Sequence, residues 1–273
     1  MKFLYFLFLT LSLFSDSEKI YPYLLYKGEK VSLNKIIDLA NEFDIILIGE
    51  EHDDKLGHIE KLKLIETLNQ KYSIQVGMEM FERDQQILID EFFKDIISEK
   101  TFEKETRLWN NFSDYKPILD FCKKNSIPLY ATNAPRRYVR LVSQKGLYSL
   151  TELSEQAKQN IAPIYMINSF RDEIYEKKIK DSLGNHADSN LENMYYAQNL
   201  WDATMTETIL KSLEIKKNKF IHVNGRFHSD ENLGITYRLK KLKMKVLTIS
   251  IFKELENDTK NYADIHIITG VRK

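Results

Sequence analysis

The chain has 273 residues, with forty basic and forty acidic side chains and a formal net charge of +0. That length accommodates one α/β domain with a helical insertion and a large core. The balanced charge gives no basis for binding nucleic acid, so any partner must be recognised locally. The single cysteine, Cys122, excludes an intramolecular disulfide.

The first fifteen residues have the pattern of a secretory signal peptide. One lysine precedes about a dozen mostly apolar residues, and small serines follow them. The apolar run is short for a membrane span, although an uncleaved anchor or a buried first helix is the alternative. We therefore expect a signal peptide at 1–15, a mature domain at 16–273 and export of that domain. No cysteine follows the apolar run, so the sequence has no lipoprotein attachment signal.

Six short apolar runs, rich in β-branched residues, indicate buried strands. They lie at 44–48, 74–80, 127–132, 219–223, 245–251 and 264–268. Helical patterns separate the runs up to about residue 145, and a long helical stretch follows. In its last part, apolar residues recur every three or four positions with one polar interruption, Gln198. The sequence predicts an α/β fold, with a largely parallel central sheet flanked by helices and a helical insertion at about 150–210.

Polar side chains follow four of the predicted strands, at the edge where parallel sheets bind ligands. In chain order they are Glu50, Glu51 and His52, then Glu79, then Arg136 and Arg137, and finally His228. Each has a structural explanation when taken alone, such as a turn, a helix cap or an ion pair. A carboxylate inside an apolar strand, such as Glu79, needs an arginine or a metal as its partner. Taken together, the four groups predict a functional site.

The spacing G-x-x-H occurs in GEEH at 49–52 and again in GRFH at 225–228. His52, Glu79 and His228 can supply the ligands of a divalent metal and leave one position for water. In that hypothesis Glu50 or Glu51 is the general base, and Arg136 or Arg137 stabilises developing negative charge. The same side chains also suit a hydrolase without metal, in which His52 is the base.

Six ordered motifs resemble the ChaN family of haem-binding uptake proteins, within the Tiki superfamily. They are LIGEEHDDKLGH, GMEMFERDQQ, WNNFSDYKPILDF, IPLYATNAPRR, NMYYAQNLWDATM and HVNGRFHSD. The resemblance runs from about residue 30 to about residue 250. Metal-dependent proteases and erythromycin-esterase-like enzymes of the same superfamily share the two G-x-x-H segments and a glutamate after the second strand.

The resemblance implies an α/β core with a helical subdomain and a haem-binding protein of the bacterial envelope. In the best-known case a dimer holds two stacked haems, with iron ligated by a tyrosine of one subunit and propionates contacted by a histidine of the other. We therefore expect a homodimer in the periplasm or at the outer membrane, with envelope components of haem transport as partners. Family members are often lipoproteins, and the missing cysteine departs from that pattern.

Candidate haem-binding residues lie in the predicted insertion. By spacing alone its aromatic side chains would belong to the core or the surface. With the resemblance added, the predicted axial ligand is Tyr165, Tyr175, Tyr195 or Tyr196, and His186 is the predicted partner of a propionate. Haem binding in iron uptake is therefore the first predicted function. A divalent-metal-dependent hydrolase of a peptide, amide or ester is the alternative, and a remnant ion-pair network is a third possibility, so enzyme activity stays open.

Overall fold

The computed structural model describes residues 22–184, 190–216, 218–254 and 261–270. At the centre of these residues is an eight-stranded sheet. Its strands are β1 (Tyr23–Tyr26), β2 (Glu29–Val31), β3 (Ile45–Glu50), β4 (Ile74–Glu82), β5 (Leu129–Asn133), β6 (Lys219–Gly225), β7 (Val246–Phe252) and β8 (Ile265–Ile268). The predicted signal peptide at 1–15 lies outside the described residues.

The spatial order of the strands is β2-β1-β8-β7-β3-β6-β4-β5. All neighbours from β8 to β5 are parallel, whereas β1 is antiparallel to both β2 and β8. The carboxyl ends of β3, β4, β5, β6 and β7 therefore meet at one edge of the sheet. Pairing of Glu50 with Gly225 places the ends of β3 and β6 side by side at that edge.

Eleven helices surround the sheet in the described part of the chain. They are α1 (Leu33–Leu39), α2 (Lys55–Lys71), α3 (Gln86–Phe93), α4 (Glu99–Glu105), α5 (Phe112–Lys124), α6 (Arg136–Lys145), α7 (Glu155–Lys158), α8 (Ile164–Asn168), α9 (Glu173–Leu183), α10 (Leu191–Ile215) and α11 (Gly234–Lys241). None of them has the combination of length and apolar character that crossing a membrane requires.

Alternation along β3 shows how the sheet is covered on both faces. Ile46 and Ile48 join the core formed with α1 to α5, whereas Ile45 and Leu47 pack with α10 and α11. Successive side chains of a strand point to opposite faces, so a strand that is apolar throughout requires two covering layers. The predicted α/β fold with a parallel sheet and flanking helices is confirmed.

The six predicted strands are all present, but the hairpin of β1 and β2 was not predicted. Its first strand is only half-buried and its second, EKV, is largely exposed, so neither forms the continuous apolar run of a central strand. The helical insertion follows β5 and contains α7, α8, α9 and the first turns of α10. Helix α10 then continues over the sheet and packs on β5 and β6, so the insertion shares this helix with the core.

Candidate functional site at the carboxyl edge of the sheet

Glu79 is buried near the end of β4 and is bonded to the end of β6. Its Oε2 accepts a hydrogen bond of 2.7 Å from the backbone N–H of Gly225. The pairing of β4 with β5 shifts register between Met78 and Glu82, around the position of Glu79. Such irregularities re-aim side chains at strand ends, and here the carboxylate faces the residues that follow β6.

His228 lies between two buried carboxylates. Its Nδ1 is 2.6 Å from Asp202 Oδ1, and its Nε2 is 3.4 Å from Glu79 Oε1. Burial opposes the charge on the imidazole, but attraction to Glu79 and Asp202 overrides it and raises the pKa of His228 to about 10. Burial likewise opposes ionisation of Glu79, but His228 and the Gly225 N–H lower the pKa of Glu79 to about 2. The group is therefore an imidazolium between two carboxylates over the whole neutral range.

The hydrogen-bond network continues from Asp202 into the helical insertion. The hydroxyl of Tyr175, on α9, donates a 2.6 Å bond to Asp202 Oδ2. The amide nitrogen of Gln198, one turn before Asp202 on α10, lies 3.2 Å from His228 Nδ1. Gln198, the polar interruption in the apolar pattern, thus faces the site. Because the protonated Nδ1 of His228 donates to Asp202, the Gln198 amide nitrogen is a neighbour of this ring edge and not its hydrogen-bond acceptor.

His52 is held at the end of β3 by a separate set of partners. Its Nδ1 lies 3.1 Å from both Glu50 Oε1 and the hydroxyl of Tyr115, and that hydroxyl donates a 2.6 Å bond to Glu50. Trp109 packs edge-on against the imidazole ring. A Cβ atom at Gly225 would lie only 2.8 Å from His52 Nε2, so the second G-x-x-H segment needs glycine to make room for this ring. The His52 side chain stays 44% exposed.

Arg136 and Arg137, the predicted arginines at this edge, form ion pairs with carboxylates other than Glu79. Arg136 donates to Glu82 Oε1 at 2.5 Å, and Arg137 donates to Asp84 Oδ2 at 2.6 Å. Glu79 takes His228 as its partner, and of the alternatives left open by the sequence, neither Arg136 nor Arg137 pairs with Glu79. The pairing follows from position, because α6 begins beside the residues that follow β4, whereas His228 follows β6 next to Glu79.

Two neighbouring cavities open at the site. The larger, of about 580 Å³, is lined by Glu79, His228, Trp109, Asn111, Arg136 and Trp201, among others. The smaller, of about 270 Å³, lies between α6, α9 and α10 and shares Arg136 and Trp201 with the larger. Its other walls are mostly apolar and include Val139, Ile179, Leu183, Met194 and Phe227. The pair forms a groove that is polar at the strand ends and apolar in the insertion.

The three predicted metal ligands lie close together. Glu79 and His228 form an ion pair, and His52 is held beside them by its own partners. Within the described ranges, no group of three His, Cys, Asp or Glu side chains is placed to hold a metal ion. Both nitrogens of His228 face carboxylates, and a protonated imidazole has no lone pair for a metal. The geometry of His52, Glu79 and His228 therefore fits a charge network better than a metal centre. Glu51 accepts from Arg226 at 3.0 Å, at the rim of the site.

The predicted haem-binding tyrosines differ in accessibility. Tyr175 and Tyr195 are buried, and their hydroxyls contact Asp202 and the backbone N–H of Asp172. Tyr165 is 69% exposed on α8, and Tyr196 is half-buried on α10. None of the four lines either of the two cavities. Axial ligation by one of them stays a prediction, and His186 lies outside the described residues.

Several functional contacts were not predicted from the sequence. The missed residues are Asp202, which bonds to His228, Tyr115 and Lys61, which contact Glu50, and His58, which bonds to Lys61. One signal was present, because Asp202 follows Gln198 by four residues and so lies on the same helix face. The others lie on α2 and α5, and only the tertiary structure brings them to Glu50.

The chain has no significant sequence match among curated proteins. The family model described as haem-binding uptake, Tiki superfamily, ChaN matches residues 36–239. The chain belongs to this family. The structure of ChaN of Campylobacter jejuni, described for its cofacial haem binding, superposes with a TM-score of 0.71 and 18% sequence identity. The match covers 92% of this chain and 97% of the Campylobacter chain.

Two other solved structures show a more distant likeness of fold. A succinoglycan biosynthesis protein has a TM-score of 0.51 and 11% identity, over 85% of this chain and 73% of its own. A mutant of the erythromycin esterase EreC in its open conformation has a TM-score of 0.49 and 10% identity, over 88% of this chain and 80% of its own. At these identities the likeness concerns the fold alone, so the site must be interpreted from its own side chains.

Proposed function

We propose that this ChaN-family protein binds haem in the groove formed by the two cavities and acts in haem uptake as an exported envelope protein. The observation that carries the proposal is the apolar smaller cavity with arginines at its edge, which continues into the polar cavity at the strand ends. A haem requires an apolar slot, an axial ligand and cationic partners for its propionates.

The side chains of the groove fit these requirements. Val139, Ile179 and Phe227 supply apolar walls on three different elements, and Trp201 lies where the two cavities meet. Arg140 borders the smaller cavity, is exposed, and forms no ion pair with a described residue. Because a free guanidinium can bind a carboxylate with two hydrogen bonds, we assign Arg140 to a propionate. Haem would supply the iron, and the chain supplies the slot and the charge.

The axial ligand we propose is a tyrosine whose hydroxyl is not already used. The hydroxyls of Tyr165 and Tyr196 make no hydrogen bond within the described residues, whereas burial and Asp202 raise the pKa of Tyr175 well above its usual value. A phenol that resists ionisation is a poor iron ligand. Neither Tyr165 nor Tyr196 lines the groove of its own subunit. We further propose a homodimer, in which the exposed Tyr165 of one subunit reaches the haem of the other.

A variant that fills the groove tests this placement. Ser182 lies at the exposed rim of the smaller cavity, so Ser182→Trp should occupy the slot and weaken haem binding at least tenfold while the fold is kept. The matched control is Lys177→Trp, since Lys177 is an exposed position on the same helix, α9, and lines neither cavity. Haem titrations in the Soret region measure both. Equal affinities of the two variants would contradict the proposed slot.

Hydrolysis without a metal is the second candidate function. The observation in its favour is that Glu50 and Tyr115 hold one nitrogen of His52 while the other nitrogen has no hydrogen-bond partner among the described residues. A base so oriented contributes about 10²–10⁴-fold to a rate. We expect hydrolysis of simple esters or amides to fall by that factor in His52→Ala and to be unaffected by EDTA. Loss of activity with EDTA would contradict hydrolysis without a metal and would favour a metal-dependent enzyme.

A further inference from the structure

Helix α2 places a lysine and a histidine beneath the end of β3. Lys61 has no exposed surface, and its Nζ contacts Glu50 Oε2 and lies 3.0 Å from His58 Nδ1. His58 and Lys61 are three residues apart, so they share one face of the helix. Glu50 is itself buried, and it connects this pair to His52 and Tyr115. A buried lysine is costly unless it is paired, so its position calls for an explanation.

With Lys61 as an ammonium in contact with the Glu50 carboxylate, the hydrogen bonds of this cluster allow one placement of protons. A lysine ammonium only donates, so His58 Nδ1 must accept from Lys61 and His58 Nε2 must carry the proton that it donates to the His52 carbonyl, at 3.1 Å. Tyr115 donates to Glu50 Oε1 at 2.6 Å. His52 Nδ1 faces that same oxygen and the oxygen of Tyr115, so it must be the donor. His52 Nε2 is therefore left with its lone pair.

Both oxygens of Glu50 face donors, which a carboxylate accommodates and a carboxylic acid does not. Burial lowers the pKa of the Lys61 ammonium, and the charge of Asp114 opposes this lowering. The Glu50 carboxylate, in contact with Lys61 Nζ, is the nearest counter-charge. If the lysine charge were removed, Glu50 would gain a proton or leave its position, because an unpaired buried carboxylate is strongly disfavoured. The acceptor that fixes the His52 proton would then be lost.

We propose that Lys61 is a positioning residue that, through Glu50, holds His52 with its proton on Nδ1 and a free lone pair on Nε2. The lone pair is then available at the mouth of the site to accept a proton from water or a hydroxyl group. Use of that lone pair in hydrolysis rests on the second candidate function, but the tautomer of His52 does not. The same lysine holds His58 in the opposite tautomer, so the charge of Lys61 determines the tautomer of both histidines.

The test is the tautomer of each histidine, measured from ¹⁵N chemical shifts of the two ring nitrogens in the full chain. In the wild-type protein, His52 should show a proton on Nδ1 and an imine-like Nε2, and His58 the reverse. In the double variant Glu50→Leu with Lys61→Met, the buried charges disappear together, so the fold should persist. His52 should then shift to the Nε2–H form that free imidazole side chains favour.

Two controls separate positioning from general packing. Lys63→Met removes an exposed charge two residues away on α2 and should leave both tautomers unchanged. Tyr115→Phe removes one acceptor but keeps Glu50, so His52 should keep its Nδ1 proton. A wild-type His52 with the proton on Nε2, or a His52 tautomer unchanged in the folded double variant, would overturn the proposal. Neither result would bear on haem binding, which is measured separately.

Discussion

At the scale of single residues, the site is governed by where charges are buried. His228 faces Asp202 at one nitrogen and Glu79 at the other, and this arrangement raises the pKa of His228 to about 10. The ring is therefore a fixed cation at neutral pH, suited to holding Glu79 in place. His52 differs, because burial lowers its pKa and no carboxylate contacts its Nε2 in the described residues.

The charge on His228 predicts how stability depends on pH. A histidine whose pKa is raised in the folded state stabilises the fold. The stabilisation is fully present below the pKa of the unfolded state, about 6.5, and is lost as the pH rises toward the folded-state pKa of about 10. The substitution His228→Gln removes the counter-charge of two buried carboxylates, Glu79 and Asp202. We therefore expect it to lower the free energy of unfolding by about 3–5 kcal/mol at pH 6. Urea unfolding should show a smaller difference between variant and wild type at pH 9. A difference that is constant from pH 6 to 9 would show that His228 is neutral in the fold.

The sequence could predict part of this site but not its charge states. Glu79 and His228 were recognisable because each ends or follows an apolar strand of a parallel sheet. Their pairing was not, since the sequence offered arginines as equally plausible partners. Lys61 was hidden because a lysine on an amphipathic helix is normally exposed, and only the fold shows that this one faces inward.

At the scale of elements, the central strands were predictable because each is buried on both faces, which requires a continuous apolar run. The hairpin of β1 and β2 is not covered in this way, so its sequence carries no such pattern. The opposite edge strand, β5, is protected by a side chain. Gln86 on α3 accepts from the Ala131 N–H at 2.7 Å and donates to the Leu129 carbonyl at 2.9 Å, as a further strand would.

This role of Gln86 can be tested directly. Gln86→Ala leaves a donor and an acceptor of a largely buried strand without their protein partner, so we expect a loss of about 1–3 kcal/mol in the free energy of unfolding. The control is Gln144→Ala, an exposed position on α6, which should change stability by less than about 0.5 kcal/mol. Urea denaturation of both variants measures the difference, and equal stabilities would mean that water replaces the amide at this edge without cost.

At the scale of the whole molecule, the proposed haem groove exists only because three parts of the chain meet. Helix α6 follows β5, α9 belongs to the insertion, and α10 returns from the insertion to the sheet. The sequence indicated each part, but the cavity between them depends on the path of α10. With a net charge of +0, the chain must attract an anionic ligand through local arginines such as Arg140.

Haem binding is tested most directly by a haem titration of residues 16–273, followed in the Soret region and repeated on a size-exclusion column. We predict saturation at one haem per chain with a distinct Soret band, and a shift of the haem-bound protein to the dimer. Absence of specific binding at micromolar haem would contradict the proposed haem binding and would leave hydrolysis at His52 as the remaining candidate function.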